Sequence, residues 1–241
     1  LDAKIDGVGA VLRREAGGDV RRLAPPRDGA AYVSASSPAV AGIRVYETSW
    51  IQGGVRYLYD PTTGEFSDDG LVPRGEFDAL EGFVAKEVQA ISHDGTLVPL
   101  SIIHRADIEL DGSNPTIVYG YGSYAISMDV AFSPIRMAWL ERGGVYAIAH
   151  VRGGGVKEGY TSAEHMAPMG GSAGGILVGR SITTRPELFG AAVIQVGMLD
   201  AIRAETTTNG VPNIKEFGTV TDEAGFRGLL EMSAYHSVRD D

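Results

Sequence analysis

The sequence predicts an α/β protein, a doubly wound, mostly parallel sheet preceded by a β-rich segment. Three observations carry that expectation. Before about residue 80, short runs alternate apolar with polar residues and are broken by glycine, proline and aspartate. From about residue 85, buried-strand runs alternate with helical patterns. Between one such strand and one such helix, "HMAPMGGSAGGILVG" (165–179) crowds four glycines around a single serine, Ser172.

The first segment reads as strands and tight turns. "AVLRRE", "AAYVSAS", "IRVYETSW" and "VRYLYDPTTGEF" are its strand runs. In "YDPTTGEF" (59–66), Pro61 sets a turn and Gly64 closes a hairpin. A series of hairpins fits a sandwich or a propeller blade, and a run this short closes no propeller alone. A small accessory β-domain is the competing reading.

The second segment has a different grammar. "AKEVQAISHDGTLVPLSIIHR" (85–105) is a long hairpin around Asp94-Gly95. "PTIVYGYGSY" (115–124) is a buried strand that ends in glycines. "FSPIRMAWLERGG" (132–144) has helical spacing, with Ile135, Ala138, Trp139 and Arg142 on one face and Gly143-Gly144 as its cap. "VYAIAHVRGGG" (145–155) and "HMAPMGG" (165–171) are further strands. A helix from Gly174 to about Thr184 follows, with Pro186 just past it, and "GAAVIQVG" (190–197) is the next strand. Ligands of such sheets bind at the carboxyl ends of the strands.

Composition narrows the function. The 241 residues are 44% hydrophobic and 22% charged, ordinary values for a soluble globular chain with one sizeable core. The net charge of −10 argues against a nucleic-acid partner, whose affinity rests on a basic face. No apolar run approaches the ~20 residues needed to span a bilayer. The opening "LDAKIDGVGAVLRREAGG" is not a signal peptide as it stands. The chain has no cysteine, which excludes disulfides and thiolate metal sites but leaves a cytoplasmic and a periplasmic setting both open. Nothing suggests a metal, a nucleotide or a redox cofactor.

Gly170-Gly171-Ser172-Ala173-Gly174 matches Gly-x-Ser-x-Gly in the strand-to-helix context that the motif requires. A turn sharp enough to lift the serine above the sheet edge strains the backbone and brings other backbone within contact distance, where glycine alone fits. The Ala173 N–H, at the start of the helix, points to the same space and can donate to an oxyanion. A plain glycine turn or a phosphate loop competes with this reading, although no lysine follows the glycines. A serine nucleophile also needs a second oxyanion donor and a base. "YGYGSY" ends a neighbouring strand, and a tyrosine hydroxyl there can donate. Packing is the competing role for Tyr119, Tyr121 and Tyr124.

Five stretches together resemble the prolyl oligopeptidase family of serine peptidases. They are "GSNPTIVYGYGSYAISM", "LERGGVYAIAHVRGGG", "EGYTSAEHMAPMGGSAGG", "RPELFGAAVIQVGMLD" and "EFGTV", and they are spread along the segment from 85 to 240. The resemblance implies an α/β-hydrolase domain over 81–241 and makes residues 1–80 the last part of a β-propeller. It implies hydrolysis of short peptides, after proline in much of the family, without a cofactor. By the same resemblance Ser172 matches the nucleophile, Ala173 the backbone oxyanion donor and Tyr121 the tyrosine whose hydroxyl completes the oxyanion hole. Tyr124, Met198 and Phe217 match residues that line the proline pocket. Asn213 stands where prolyl oligopeptidases proper carry a tryptophan that stacks on proline, which argues against strict proline preference. Arg152 matches a family arginine of structural or functional role.

Two elements of the family pattern are missing. "VRGGG" runs straight into "VKEGYTS", where the family has several dozen residues, so Gly155 and Val156 look like the edges of a gap. Hydrolase-fold enzymes order the triad as serine, acid, histidine. After Ser172 the only histidine is His236, at a position the family uses structurally, and Asp200 is likewise structural by this match. His93, His104, His150 and His165 precede the serine; His104 and His150 sit in strand patterns, and His165 lies at the far end of its strand. The acid and base are therefore expected past Asp241, and the 241 residues alone are expected to be inactive or nearly so. Two other readings stay open. One is a carboxylesterase of the hormone-sensitive lipase type, which shares "SAGG" but usually has His-Gly-Gly-Gly. The other is a catalytically incomplete fragment or binding module.

Overall fold

Alternating apolar and polar residues make the first stretch of chain a set of short antiparallel strands. They are β1 Asp2–Ile5, β2 Val8–Arg14, β3 Val20–Arg22, β4 Ala30–Ala35, β5 Ile43–Thr48, β6 Val55–Tyr59 and β7 Phe66–Asp68. The first three form one sheet and the last four another, each in chain order. Val11, Leu23, Ala31, Val45 and Tyr59 are buried together between strands of both sheets. In the β6–β7 hairpin, Asp60 Oδ1 accepts from the Thr62 N–H at 2.7 Å, and Gly64 takes φ 80°.

The computed structural model describes residues 1–239 apart from 6–7, 16, 36–41, 77, 79, 93–94, 96, 125–127, 151–162 and 209. It divides into two compact units, Leu1–Ala85 with Asp129–Ala138, and Lys86–Met128 with Trp139–Asp241. Among the described residues, no helix is long and apolar enough to cross a membrane, and no cluster of His, Asp or Glu could hold a metal ion.

The second unit is built on β8 Phe83–Ile91, β9 Leu97–Arg105, β10 Thr116–Tyr119, β11 Val145–Ala149, β12 Met166–Gly171 and β13 Val193–Gln195. These make a six-stranded sheet in the order β13-β12-β10-β11-β9-β8. β13, β12, β10 and β11 are parallel, while β9 runs antiparallel to β11. β9 and β11 are nearly continuously buried, as befits a sheet covered on both faces. The expected hairpin turn falls on His93, Asp94 and Thr96, outside the described residues, but Gly95 has φ 82°.

Strand order decides where chemistry can happen. The chain passes from β10 to β11 on one side and from β12 to β13 on the other. The direction of winding therefore reverses between the adjacent strands β10 and β12. In open α/β sheets, ligands bind at such a switch point, beyond the carboxyl ends of the strands.

The helices are α1 Pro134–Glu141, α2 Gly174–Thr184, α3 Ala201–Ala204, α4 Ile214–Phe217 and α5 Glu223–Met232. The bounds of α2 are those expected from the sequence. The fully buried residues of α1 are Met137 and Leu140, whereas Ile135 is 85% exposed and Arg142 is exposed. A helix buries residues three or four apart, and here that pair is Met137 and Leu140, rotated from Ile135 by the helical step. Trp139 is half-buried, and its Nε1–H donates to Val145 O at 3.0 Å. Gly143 ends the helix with φ 83°.

Candidate active site

Three loops meet at the switch point, and each holds a strained residue. Among the described residues, the non-glycine residues with positive φ are Tyr124 (56°), Ser172 (52°) and Val196 (46°). They follow the carboxyl ends of β10, β12 and β13, three neighbouring strands. A side chain in this region costs about 1–3 kcal/mol, most for a β-branched residue, and persists only where the surroundings enforce it. Such strain concentrates where geometry serves a purpose other than stability.

The enforcement at Ser172 is visible. Its N–H donates to Gln195 O at 3.0 Å, and its carbonyl accepts from the Met198 N–H at 2.9 Å and from the Gly175 N–H at 3.0 Å. The turn is thus clamped between the end of β13 and the first turn of α2. The side chain itself is exposed. Two glycines let the neighbours approach. A β-carbon at Gly174 would lie 3.0 Å from Gly120 O and 3.5 Å from Tyr121 Cα and Cδ2. One at Gly175 would press on Gly197 Cα and lie 2.9 Å from Gly197 C and Met198 N. The serine needs crowded glycines because three backbones converge on it.

The two residues expected to hold the oxyanion follow β10 and β12 beside this turn. Tyr121 follows β10 and packs its backbone and ring edge onto Gly174, two residues past the serine. Ala173, buried, is the residue just before α2, and among the described residues no side chain caps the start of that helix or contributes an acid to its first turn. The first N–H groups of α2 thus carry the positive end of the helix dipole without a side-chain acceptor.

Tyr124, Asn213 and Phe217 come together, although 89 residues of sequence separate the first two. The Tyr124 hydroxyl donates to Asn213 Oδ1 at 2.5 Å, and its ring stands edge-on to Phe217 with centroids 5.5 Å apart. Burial, then the potentials of Tyr121 and Glu216, push the Tyr124 phenol above its ordinary value, so it stays a protonated donor. Met198 meets the serine turn through its backbone. Glu216, not anticipated from the sequence, accepts from the Tyr124 N–H at 2.6 Å. No local signal marks a contact spanning 92 residues.

The histidines take other places. His165 precedes β12, at the opposite end from Ser172. His104 is buried in β9, with its Nδ1 2.7 Å from Arg105 O. His150 follows β11, with its Nε2 2.7 Å from Ser101 Oγ; β10 separates β11 from β12, which puts it about 10 Å across the sheet from Ser172. His236 Nδ1 lies 2.8 Å from Ser233 Oγ and 3.7 Å from Asp200 Oδ1. Both partners use the same ring nitrogen, so this Ser-His-Asp group lacks the relay geometry of a triad. Asp200 also caps α3 through the Arg203 N–H at 3.2 Å. His93, Arg152, Gly155 and Val156 fall outside the described residues.

Comparison with known proteins agrees with this geometry. The model of the prolyl oligopeptidase family matches residues 155–241. A prolyl endopeptidase of Elizabethkingia meningoseptica is 35% identical over 222 residues, 80% of this chain and 31% of that protein. The uncharacterized peptidase y4nA of Sinorhizobium fredii is 32% identical over 248 residues, 90% of this chain and 34% of its own length. The chain thus spans about a third of the curated relatives it matches. A structure from a study of two prolyl endopeptidases superimposes with a TM-score of 0.88 at 32% identity, covering 100% of this chain and 40% of its own. The sheet is that of an α/β hydrolase, and by fold, by sequence and by the strained serine turn the chain belongs to the prolyl oligopeptidase family.

Proposed function

We propose that the protein carrying this chain is a serine oligopeptidase that cleaves short peptides through an acyl-enzyme on Ser172. The observation that carries this reading is the strained, exposed Ser172, clamped at the switch point with Tyr121 packed beside it. Ser172 Oγ attacks the peptide carbonyl and loses its proton to a base. The Ala173 N–H and the Tyr121 hydroxyl hold the oxyanion of the tetrahedral intermediate. The C–N bond then breaks, the amine leaves with a proton from the base, and water hydrolyses the ester.

Tyr124, Met198, Asn213 and Phe217 line the place for the side chain before the cut. Asn213 in place of a large aromatic ring widens the acceptable residues beyond proline. None of the described histidines is placed to serve as the base. Residues 1–80 form the last part of a β-propeller that limits entry of large substrates. Their second sheet, four antiparallel strands in chain order, supports this because it has the form of a blade.

The test compares a proline-containing chromogenic peptide with a simple ester, using the protein that carries this chain. A peptidase turns over both, and Ser172→Ala abolishes both. Turnover of the ester alone favours the carboxylesterase reading, and amide hydrolysis that survives Ser172→Ala removes the assignment.

A further inference from the structure

Resting on the peptidase reading, we propose that Glu216 is a positioning residue whose carboxylate holds Tyr124, and through it the wall that receives the side chain before the cut. Tyr124 sits at φ 56°, a conformation that its β-carbon disfavours, so something must secure it. Its N–H donates to Glu216 Oε1 at 2.6 Å. At its other end the hydroxyl reaches Asn213, and between the two the ring meets Phe217. Backbone, ring and hydroxyl of one strained residue are thus all held by residues 213–217.

Glu216 is exposed, and among the described residues its carboxylate makes no other hydrogen bond or ion pair. It is spent on no helix cap and no surface pair. An ionised acceptor strengthens the bond to the N–H of a strained residue. A neutral amide oxygen at the same place accepts the same bond more weakly, whereas a methyl group cannot. Glu216 acts on the Tyr124 loop rather than on the Ser172 turn. Its loss should therefore weaken substrate binding while leaving the nucleophile intact.

The experiment compares Glu216→Ala and Glu216→Gln with wild type in the protein that carries this chain. Two readouts are taken: kcat and KM on the proline-containing peptide, and the rate at which a small alkyl fluorophosphonate labels Ser172. For Glu216→Ala, KM should rise about fivefold to tenfold, the size of one partly solvated hydrogen bond to a charged group. kcat and labelling should stay within about twofold, and Glu216→Gln should recover most of the loss. The proposal is overturned by an unchanged KM in Glu216→Ala, by a Gln variant as impaired as the Ala variant, or by kcat and labelling falling together with KM. Failure of wild type to label at Ser172 overturns the peptidase reading and this one with it. An active, labelled Glu216→Ala enzyme with wild-type KM overturns this one alone.

Discussion

The convergence of backbones on Ser172 predicts opposite outcomes for one substitution made in two helices. Gly175→Ala puts a methyl group against Gly197 and 2.9 Å from Gly197 C and Met198 N. These are backbone atoms, which cannot rotate away. Carbon contacts are comfortable from about 3.5 Å, so α2 and the 196–198 loop must part by roughly 0.6 Å or more. That motion pulls at the Met198-to-Ser172 hydrogen bond, now 2.9 Å. Overpacking costs about 1–3 kcal/mol and the weakened bond about 1 kcal/mol, against a gain of about 1 kcal/mol from alanine in a helix. The net loss is about 1–3 kcal/mol, which lowers Tm by roughly 2–12 °C for a chain of this size. Gly228→Ala is the control, because a β-carbon there meets nothing within 4 Å in α5. It should stabilise by up to about 1 kcal/mol. Thermal unfolding and the rate of Ser172 phosphonylation are measured for both. Gly175→Ala should be less stable and label more slowly, and Gly228→Ala should be at least as stable and label normally. A Gly175→Ala protein with wild-type Tm and labelling would show that close approach does not build this turn.

Two other outcomes follow from named groups. Glu47 is 1% exposed; its Oε2 accepts from the Arg27 N–H at 3.2 Å, and its Oε1 has no hydrogen-bond partner among the described residues. Burial pushes its carboxyl above the ordinary 4.5, against the pull of Arg27. The folded state therefore holds this proton more tightly than the unfolded state, so the group's contribution is favourable at acid pH and is lost as pH rises through the raised value. Glu47→Gln should gain about 1 kcal/mol over wild type at neutral pH and lose that advantage near pH 4, as read by urea unfolding at the two pH values; an advantage independent of pH would contradict the burial argument. Tyr121→Phe should lower kcat on the peptide about a hundredfold or more with little change in KM, and steady-state kinetics showing an unchanged kcat would remove the hydroxyl from the oxyanion site.

Legibility in the sequence followed the range of the physics. Most strands and α2 were readable because burial alternation, glycine and proline act within a few residues, and the serine turn because its glycines are adjacent, whereas the short strands β1 and β3 lie outside the runs that the alternation marks. The identity of its close neighbours was not readable: Gly197 and Gly120 reach the turn through strand order. Which face of α1 is buried was not readable, because Ile135, although apolar, lies in the first turn and faces solvent. Val196, a β-branched residue at φ 46° and 93% exposed, carries no signal in its own sequence, because its conformation is imposed by the clamp between Gln195 and Met198. Glu216 carries no local signal, since only the fold brings it to Tyr124. Only the family resemblance linked Tyr124 with Phe217, and in the fold their rings stand in edge-on contact.

The most direct measurement is to locate the covalent adduct. The protein carrying this chain is treated with a fluorophosphonate, digested, and mapped by tandem mass spectrometry. One phosphonyl group on Ser172, with none on Ser101 or Ser233, is the expected result, since among the described residues Ser172 is the serine that stands exposed at the switch point. An adduct on a different serine, or full peptidase activity in a protein whose Ser172 stays unmodified by the inhibitor, would contradict it.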